Sequence, residues 1–98
     1  MREIEFRAAM ILECLGEPIR FQIIRHLAAE GAKSVSELAR VMKRHPTTIC
    51  HHLAVLRGMQ IVRYRNHGRF TFYEVKLKTA KTMTQLAIRA ARNLNVER

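Results

Sequence analysis

The stretch Pro46-Thr47-Thr48-Ile49-Cys50-His51-His52-Leu53-Ala54-Val55-Leu56-Arg57-Gly58 decides how the rest of the chain is read. On a helix of about 3.6 residues per turn, Ile49, Leu53 and Leu56 recur at i, i+4 and i+7 and form a narrow apolar stripe. Thr47, His51, Ala54 and Gly58 fall on the opposite side, flanked by Thr48, Cys50 and Val55. Pro46 suits the first turn, where its missing N–H leaves no bond unmade. One face of such a helix anchors, and the other offers hydroxyls, an imidazole and small side chains. Lys43, Arg44 and His45 precede it and Arg57 lies near its end, so both ends carry a positive border. Small polar groups for base edges and cations for phosphates are what a DNA recognition helix needs. An ordinary surface helix with two spare histidines has the same wheel. The flanking sequence has to separate the two readings. His52 falls nearer the apolar stripe than His51, which predicts packing or backbone bonding for His52 and outward contact for His51.

Composition narrows the partner. The 98 residues are 48% hydrophobic, enough for one small domain and too few for two. Lys and Arg number 18 against 8 acidic residues, a formal charge of +10, which implies a polyanionic partner, with nucleic acid favoured over a membrane. No apolar run reaches the length of a membrane span, and the start Met1-Arg2-Glu3-Ile4-Glu5-Phe6-Arg7 is too charged for a signal peptide. Cys14 and Cys50 are too few for a disulfide-framed secreted domain. The expectation is a reduced, cytoplasmic protein.

Upstream of the deciding stretch the pattern is helical. Ile4, Ala8, Ile11 and Leu15 recur at spacings of four, three and four over Arg2 to Leu15, a heptad-like stripe. Phe6, Met10 and Leu12 make that helix apolar on more than one side. Gly16 is expected to close it in the left-handed conformation. A second helix runs from Pro18 to about Glu30 with Ile19, Ile23, Ile24 and Leu27 at core spacing, and Gly31 stops it. Arg20, Arg25 and His26 are read as solvated surface or phosphate neighbours. Ser34-Val35-Ser36-Glu37 is a capping box opening a short third helix that ends at Lys43-Arg44-His45. Two short helices with a polar outer face on the second, over 34–58, form a helix-turn-helix pattern.

Downstream, Ile61-Val62-Arg63-Tyr64-Arg65 alternates apolar with basic, and Phe70-Thr71-Phe72-Tyr73-Glu74-Val75 is aromatic and β-branched. Asn66-His67-Gly68-Arg69 between them reads as a hairpin loop. A hairpin over 61–75, directly after a recognition helix, is a wing. Arg63, Arg65, His67 and Arg69 would bring cations to the DNA backbone or a neighbouring minor groove; basic residues that merely guard a strand edge are the plainer alternative. A final helix over 79–96 carries Ala80, Met83, Ala87, Ala90 and Leu94 at heptad spacing. Its small residues allow close approach. Together with 1–15 it is expected to form a dimerisation layer through Ile4, Ala8, Ile11 and Leu15 on the first helix and that stripe on the last. The expected fold is mainly α with a small β-hairpin wing, one winged helix-turn-helix domain spanning 1–98.

From Leu15 to about Val75 the sequence resembles the ArsR/SmtB family of winged-helix transcriptional repressors. L-G-E-P-I-R-F-Q-I-I-R-H-L resembles the family's L-G-[DN]-P-x-R-x-x-I-L-x-x-L helix, and S-V-S-E-L-A its third helix. T-T-I-C-H-H-L-A-V-L-R resembles the recognition segment S-x-V-S-[HQ]-H-L-x-x-L-R. I-V-R-Y-R-N-H-G-R-F-T-F-Y-E-V resembles the wing pattern L-V-x-x-x-x-x-G-R-x-x-Y-Y-x-L. The resemblance implies a homodimer joined through its first and last helices and bound to an imperfect inverted repeat in double-stranded DNA. It makes Thr47, Thr48, Cys50 and His51 the base and phosphate readers. Cys50 stands where the family usually has serine, and Pro46-Thr47 where it favours Gln-Ser; the proline removes one N–H donor and a side-chain reader, so the resemblance does not carry over an operator sequence.

Metal sensing is the family activity this sequence argues against. Ser34-Val35-Ser36-Glu37-Leu38 occupies the place of the family's Cys-Val-Cys-Asp-Leu, and serine hydroxyls are poor ligands for soft ions. From Lys76 onward there is no Asp or His, and Glu97 is the one carboxylate side chain. Consecutive helical residues point about 100° apart, so Cys50-His51-His52 cannot close on one ion. No cofactor is expected, and no inducer is indicated. A thiol switch at Cys50 and an architectural, shape-based binding of RNA or DNA by a basic winged-helix module are the alternatives. With no Asp anywhere, no Gly-rich phosphate loop and no nucleophile–base arrangement, enzymatic activity is not expected.

Overall fold

The structure, a computed structural model, describes residues 2–94. Its elements are α1 (Glu3–Leu15), α2 (Pro18–Glu30), α3 (Val35–Met42), α4 (Pro46–Gly58), β1 (Val62–His67), β2 (Phe70–Val75) and α5 (Thr79–Asn93). Ile49, Leu53 and Leu56 of α4 are fully buried among Ile23, Ile24 and Leu27 of α2, Leu38 of α3, and Ile61 and Val62 at the hairpin base. Burial of each such side chain contributes on the order of 1.5–3 kcal/mol. That apolar stripe fixes which face of α4 is left outside. Ala80 and Thr84 seat α5 against the same core, the Thr84 hydroxyl donating to the Ala80 carbonyl at 3.0 Å.

Local chemistry sets the helix ends. Ser34 accepts from the Glu37 N–H at 3.2 Å while the Glu37 carboxylate accepts from the Ser34 N–H at 3.0 Å, the reciprocal box expected for α3. Glu17 caps α2 by accepting from the Arg20 N–H at 2.8 Å. Gly31 ends α2 at φ 86, ψ −168, a conformation open essentially to glycine alone. Gly16 departs from expectation: it is right-handed, at φ −75, ψ −11. The chain re-enters a helix at Pro18, which leaves no room for a reversal. Glycine serves there by its size, because a Cβ would stand 3.2 Å from the Leu12 carbonyl oxygen.

The hairpin pairs Val62 with Val75 and His67 with Phe70. Asn66 and His67 therefore belong to β1 rather than to the loop, which contains only Gly68 and Arg69. Gly68 has φ 63 and Arg69 a negative φ, and a glycine leading a two-residue turn matches the twist of paired strands. Asn66 is drawn into the ladder by Thr71, whose hydroxyl donates to its side-chain oxygen at 2.9 Å. Sequence reading missed one further pairing. Lys33, between α2 and α3, exchanges both backbone hydrogen bonds with Tyr73, at 2.9 and 2.8 Å. The wing is thereby tied to the helix-turn-helix at its middle as well as at its base.

The terminal helices differ from expectation in three particulars. Helix α1 begins at Glu3, with Arg2 at its cap. Helix α5 ends at Asn93, where Leu94 turns extended and donates its N–H to the Ala90 carbonyl; the rest of the expected helix, to Val96, lies outside the described residues. Leu15 and Ala80 are buried in the chain's own core and have no surface left to offer a second copy. The remaining positions of the two stripes divide: Ile11 and Met83 are half-buried, while Ile4, Ala8, Ala87, Ala90 and Leu94 are exposed.

Candidate nucleic-acid interface

Because α4 spends its apolar stripe inward, Thr47, Cys50, His51, Ala54 and Gly58 are exposed along its outer face and Thr48 is half-buried at the edge. No bulky aliphatic residue interrupts that strip. Arg44 is exposed at one end, beside Lys43, whose left-handed backbone (φ 54) turns the chain out of α3. His45 does a different job from the one expected of it. Its Nδ1 accepts from the Thr47 N–H at 3.1 Å, capping α4. That bond requires the lone pair on Nδ1, so a neutral His45 keeps only Nε2–H as a donor. Arg57 at the other end lies over the Tyr64 ring, 4.3 Å from its centroid. This places a cation where α4 meets the wing.

His52 is the inward histidine, held by side chains rather than by backbone. Arg20 is the residue that holds it: its guanidinium donates to the Cys14 carbonyl at 2.8 Å and to His52 Nδ1 at 3.3 Å. Arg20 is therefore an internal strut joining α1, α2 and α4, not the solvated cation that sequence reading took it for. Glu17 stands 3.6 Å from the same ring nitrogen. Nδ1 cannot accept from Arg20 and carry a proton toward Glu17 at once. Burial pushes the imidazole below its ordinary range, outweighing the pull of Glu17, with Arg20 and His51 adding to the downward shift. The neutral form accepting from Arg20 is the one that fits. Glu17 is itself held below the usual carboxylate range: burial opposes this, but the N–H groups of Arg20 and Ile19 outweigh it.

Strand alternation sorts the wing into two faces. Tyr64 and Tyr73 share the inner face with Val62 and Val75; Arg63, Arg65, His67, Phe70, Phe72 and Glu74 share the outer one. Glu74 lies directly opposite Arg63 and takes two cations on one oxygen, Arg63 Nε at 2.6 Å and Arg65 at 3.1 Å. The Arg63 hydrogen bond is the main reason its carboxyl is held below the usual range. His67 and Arg69 at the tip have no carboxylate among the described residues, and Arg69 lies 5.4 Å from the Phe70 centroid. Phe70 and Phe72 lie outward, with centroids 6.5 Å apart, beside the cations. Cys50 is exposed, Cys14 is buried, and neither is in a disulfide.

The family's metal ligands do not fit these residues. The Ser34 hydroxyl is committed to the α3 cap and lies 3.1 Å from that of Ser36. Helix α5 has no His, Cys or carboxylate side chain over Thr79–Asn93.

Comparison with known proteins agrees with this geometry. Residues 15–65 match a helix-turn-helix domain family. The chain is 32% identical over 80 residues to an uncharacterized HTH-type transcriptional regulator of Methanocaldococcus jannaschii, covering 82% of this chain and 90% of that protein. It is 31% identical over 67 residues to a transcriptional repressor SmtB homolog of Synechocystis, covering 68% of this chain and 50% of that protein. The fold superposes on the homodimeric winged helix-turn-helix DNA-binding domain of Mb0332 from Mycobacterium bovis with a TM-score of 0.80, at 20% identity, over 97% of this chain and 91% of that one. With the polar face of α4, the cationic wing and these likenesses in agreement, the chain belongs to the ArsR/SmtB family of winged helix-turn-helix transcriptional regulators, which are not enzymes.

Proposed function

We propose that the protein is a sequence-specific repressor that binds double-stranded DNA as a homodimer on an inverted repeat. The observation that carries this reading is the division of α4 into a fully buried stripe and an uninterrupted small polar face between cationic ends. In this reading Thr47, Thr48, Cys50 and His51 meet base edges and nearby phosphates. Lys43, Arg44, His45 through its remaining N–H, and Arg57 hold the backbone, as do Arg63, Arg65, His67 and Arg69 of the wing. Dimerisation through α1 and α5 is supported by the bare apolar side chains Ile4, Phe6, Met10 and Leu12 on α1, Leu86 on α5 and Leu94 just beyond its end. The Mb0332 domain, of the same fold, is homodimeric. Residues 34–58 then form the reading unit, 61–75 the wing and the two terminal helices the dimer layer of one domain. Metal does not regulate it, because the donor sets are absent from α3 and α5.

Selection of bound duplexes from a random pool tests the reading. A two-fold symmetric motif is the expected outcome, together with a sedimentation mass of two chains at micromolar concentration. An enriched pool without symmetry, or a single-chain mass, would overturn the dimeric operator. Equal affinity for duplex RNA at fixed salt would replace DNA by shape-based RNA binding.

A further inference from the structure

The back of the domain carries a second basic surface that the recognition helix and wing do not use. Helices α2 and α5 meet along a seam of connected hollows. One of about 320 Å³ is lined by Arg25, Gln85, Ile88, Arg89 and Arg92. A smaller one shares Arg25 and Gln85 and adds Lys81, and a third, of about 380 Å³, continues from Lys81 to Lys78. Arg25, Lys78, Lys81, Arg89 and Arg92 therefore follow one track, about 21 Å long from Lys78 to Arg92 at about 1.5 Å per residue. Among the described residues none of the five is within ion-pair distance of a carboxylate. Glu74 also lines the third hollow, but its carboxylate is taken by Arg63 and Arg65.

Apart from its Lys78 end, which adjoins Glu74 of the wing, the track is separate from the surfaces already described. Arg25 stands five residues from Arg20, about 140° round α2, and Arg20 is the side chain that reaches α4. On α5 the seam residues lie on the order of 150° from Met83, Leu86, Ala87 and Ala90, so a partner on that apolar flank leaves the seam open. The chemistry fits an extended polyanion better than a small effector. Ligand pockets are concave and mostly apolar, whereas Lys78, Lys81, Gln85, Arg89 and Arg92 are exposed along an open rim. Roughly one cation per helical turn suits a phosphate backbone, whose duplex carries a charge about every 1.7 Å of its axis.

We propose that the α2–α5 seam is a second, sequence-independent phosphate-binding surface, holding another duplex segment while α4 and the wing hold the first. This rests on the DNA-binding reading above, and the test separates the two. A duplex bearing the selected motif is fixed to beads, the full-length protein is added, and a fluorescent random-sequence duplex is supplied in solution. Protein retained on the beads reports the first contact; fluorescence retained reports the second. The parent protein should retain the free duplex. Arg89→Glu/Arg92→Glu should reduce that retention at least tenfold while protein retention stays within twofold, and Arg89→Lys/Arg92→Lys should restore it. Arg89→Gln/Arg92→Gln, a milder change on the same exposed face, decides the matter if the reversal melts early. No free duplex retained by parent protein that does occupy the beads overturns the seam alone. Retention unchanged in the glutamate and glutamine variants overturns it too, and protein that never occupies the beads removes both readings. Variant-sensitive capture of labelled polyglutamate with no capture of duplex would make the partner an acidic polypeptide and overturn the proposal.

Discussion

Helix α4 and the wing both face the same partner in our reading, yet they are built on opposite plans. The helix is pinned by three side chains with no exposure at all, and its outer face is nearly uncharged. The hairpin buries only Val62 fully, at its base, and its outer face carries the arginines. Discrimination between bases needs donors and acceptors held in fixed register, which a rigid, neutral face supplies. Neutralising phosphates needs charge and tolerates movement. The difference teaches that reading and gripping are separable here, and each can be broken without the other.

The sharpest break is at the anchor. Leu53→Ala should lower unfolding free energy by about 2–5 kcal/mol in urea titration, whereas Phe70→Ala at the wing tip should change it by no more than about 0.5 kcal/mol. Comparable losses in the two would mean the wing is as embedded as the helix. Next in size, His51→Ala or Thr47→Ala should reduce preference for the selected motif over random duplex by about 1–3 kcal/mol, with an unchanged melting curve. Unaltered preference in both would take α4 out of base reading.

The wing is sharpened by salt. Arg65→Ala or Arg69→Ala should weaken every duplex alike and shallow the slope of log affinity against log salt by about one unit. Glu74→Gln should do the reverse, because it frees two guanidinium groups for phosphates: affinity for all duplexes rises and the slope steepens. If Glu74→Gln leaves the slope unmoved, Arg63 and Arg65 are not at the interface.

Acid tests the underside of α4. The folded pKa of His52 lies below its ordinary 6.5, so the fold favours the neutral ring. That contribution is complete above 6.5 and is lost as pH falls through the lower folded value. Glu17, also depressed from 4.5, loses its share further into acid. The urea midpoint should therefore drop as pH falls below about 6.5, and His52→Gln should flatten that first part of the fall. A midpoint rising with acid would reverse the assignment of the Arg20–His52 bond. Smallest of all, Cys50→Ser should leave duplex affinity within about twofold, well inside 1 kcal/mol. If peroxide releases the parent from DNA and not this variant, Cys50 adds redox control to the face.

What was legible in the sequence was local. The α4 wheel, the Ser34–Glu37 box and the alternation of the hairpin each depend on residues a few positions apart, and each appears in the structure as read. The misreadings came from partners distant along the chain. Arg20 looked solvated because its acceptors, the Cys14 carbonyl and His52, lie on two other helices. The ion pairs of Arg63 and Arg65 with Glu74 went unread because that carboxylate is across the ladder. That pairing could have been found: once the loop is the two residues Gly68-Arg69, register places Glu74 opposite Arg63. Nothing in the composition around Lys33 announces its bridge to Tyr73, which depends on how α2 delivers the chain to the sheet.

The Lys33–Tyr73 bridge also bears on how copies of this chain meet. At Tyr73, β2 is paired on both sides, which leaves β1, among the described residues, as the strand open along its whole length. An open strand is a template for indefinite growth of a sheet from chain to chain. Here that template carries Arg63, Arg65 and His67, so a second β1 sliding alongside would bring like charges together. The apolar side chains bared on α1 and α5 meet no such barrier. In the dimeric reading proposed above, self-association is steered away from the open-ended route and toward the helical one, where a two-fold contact closes on itself and stops.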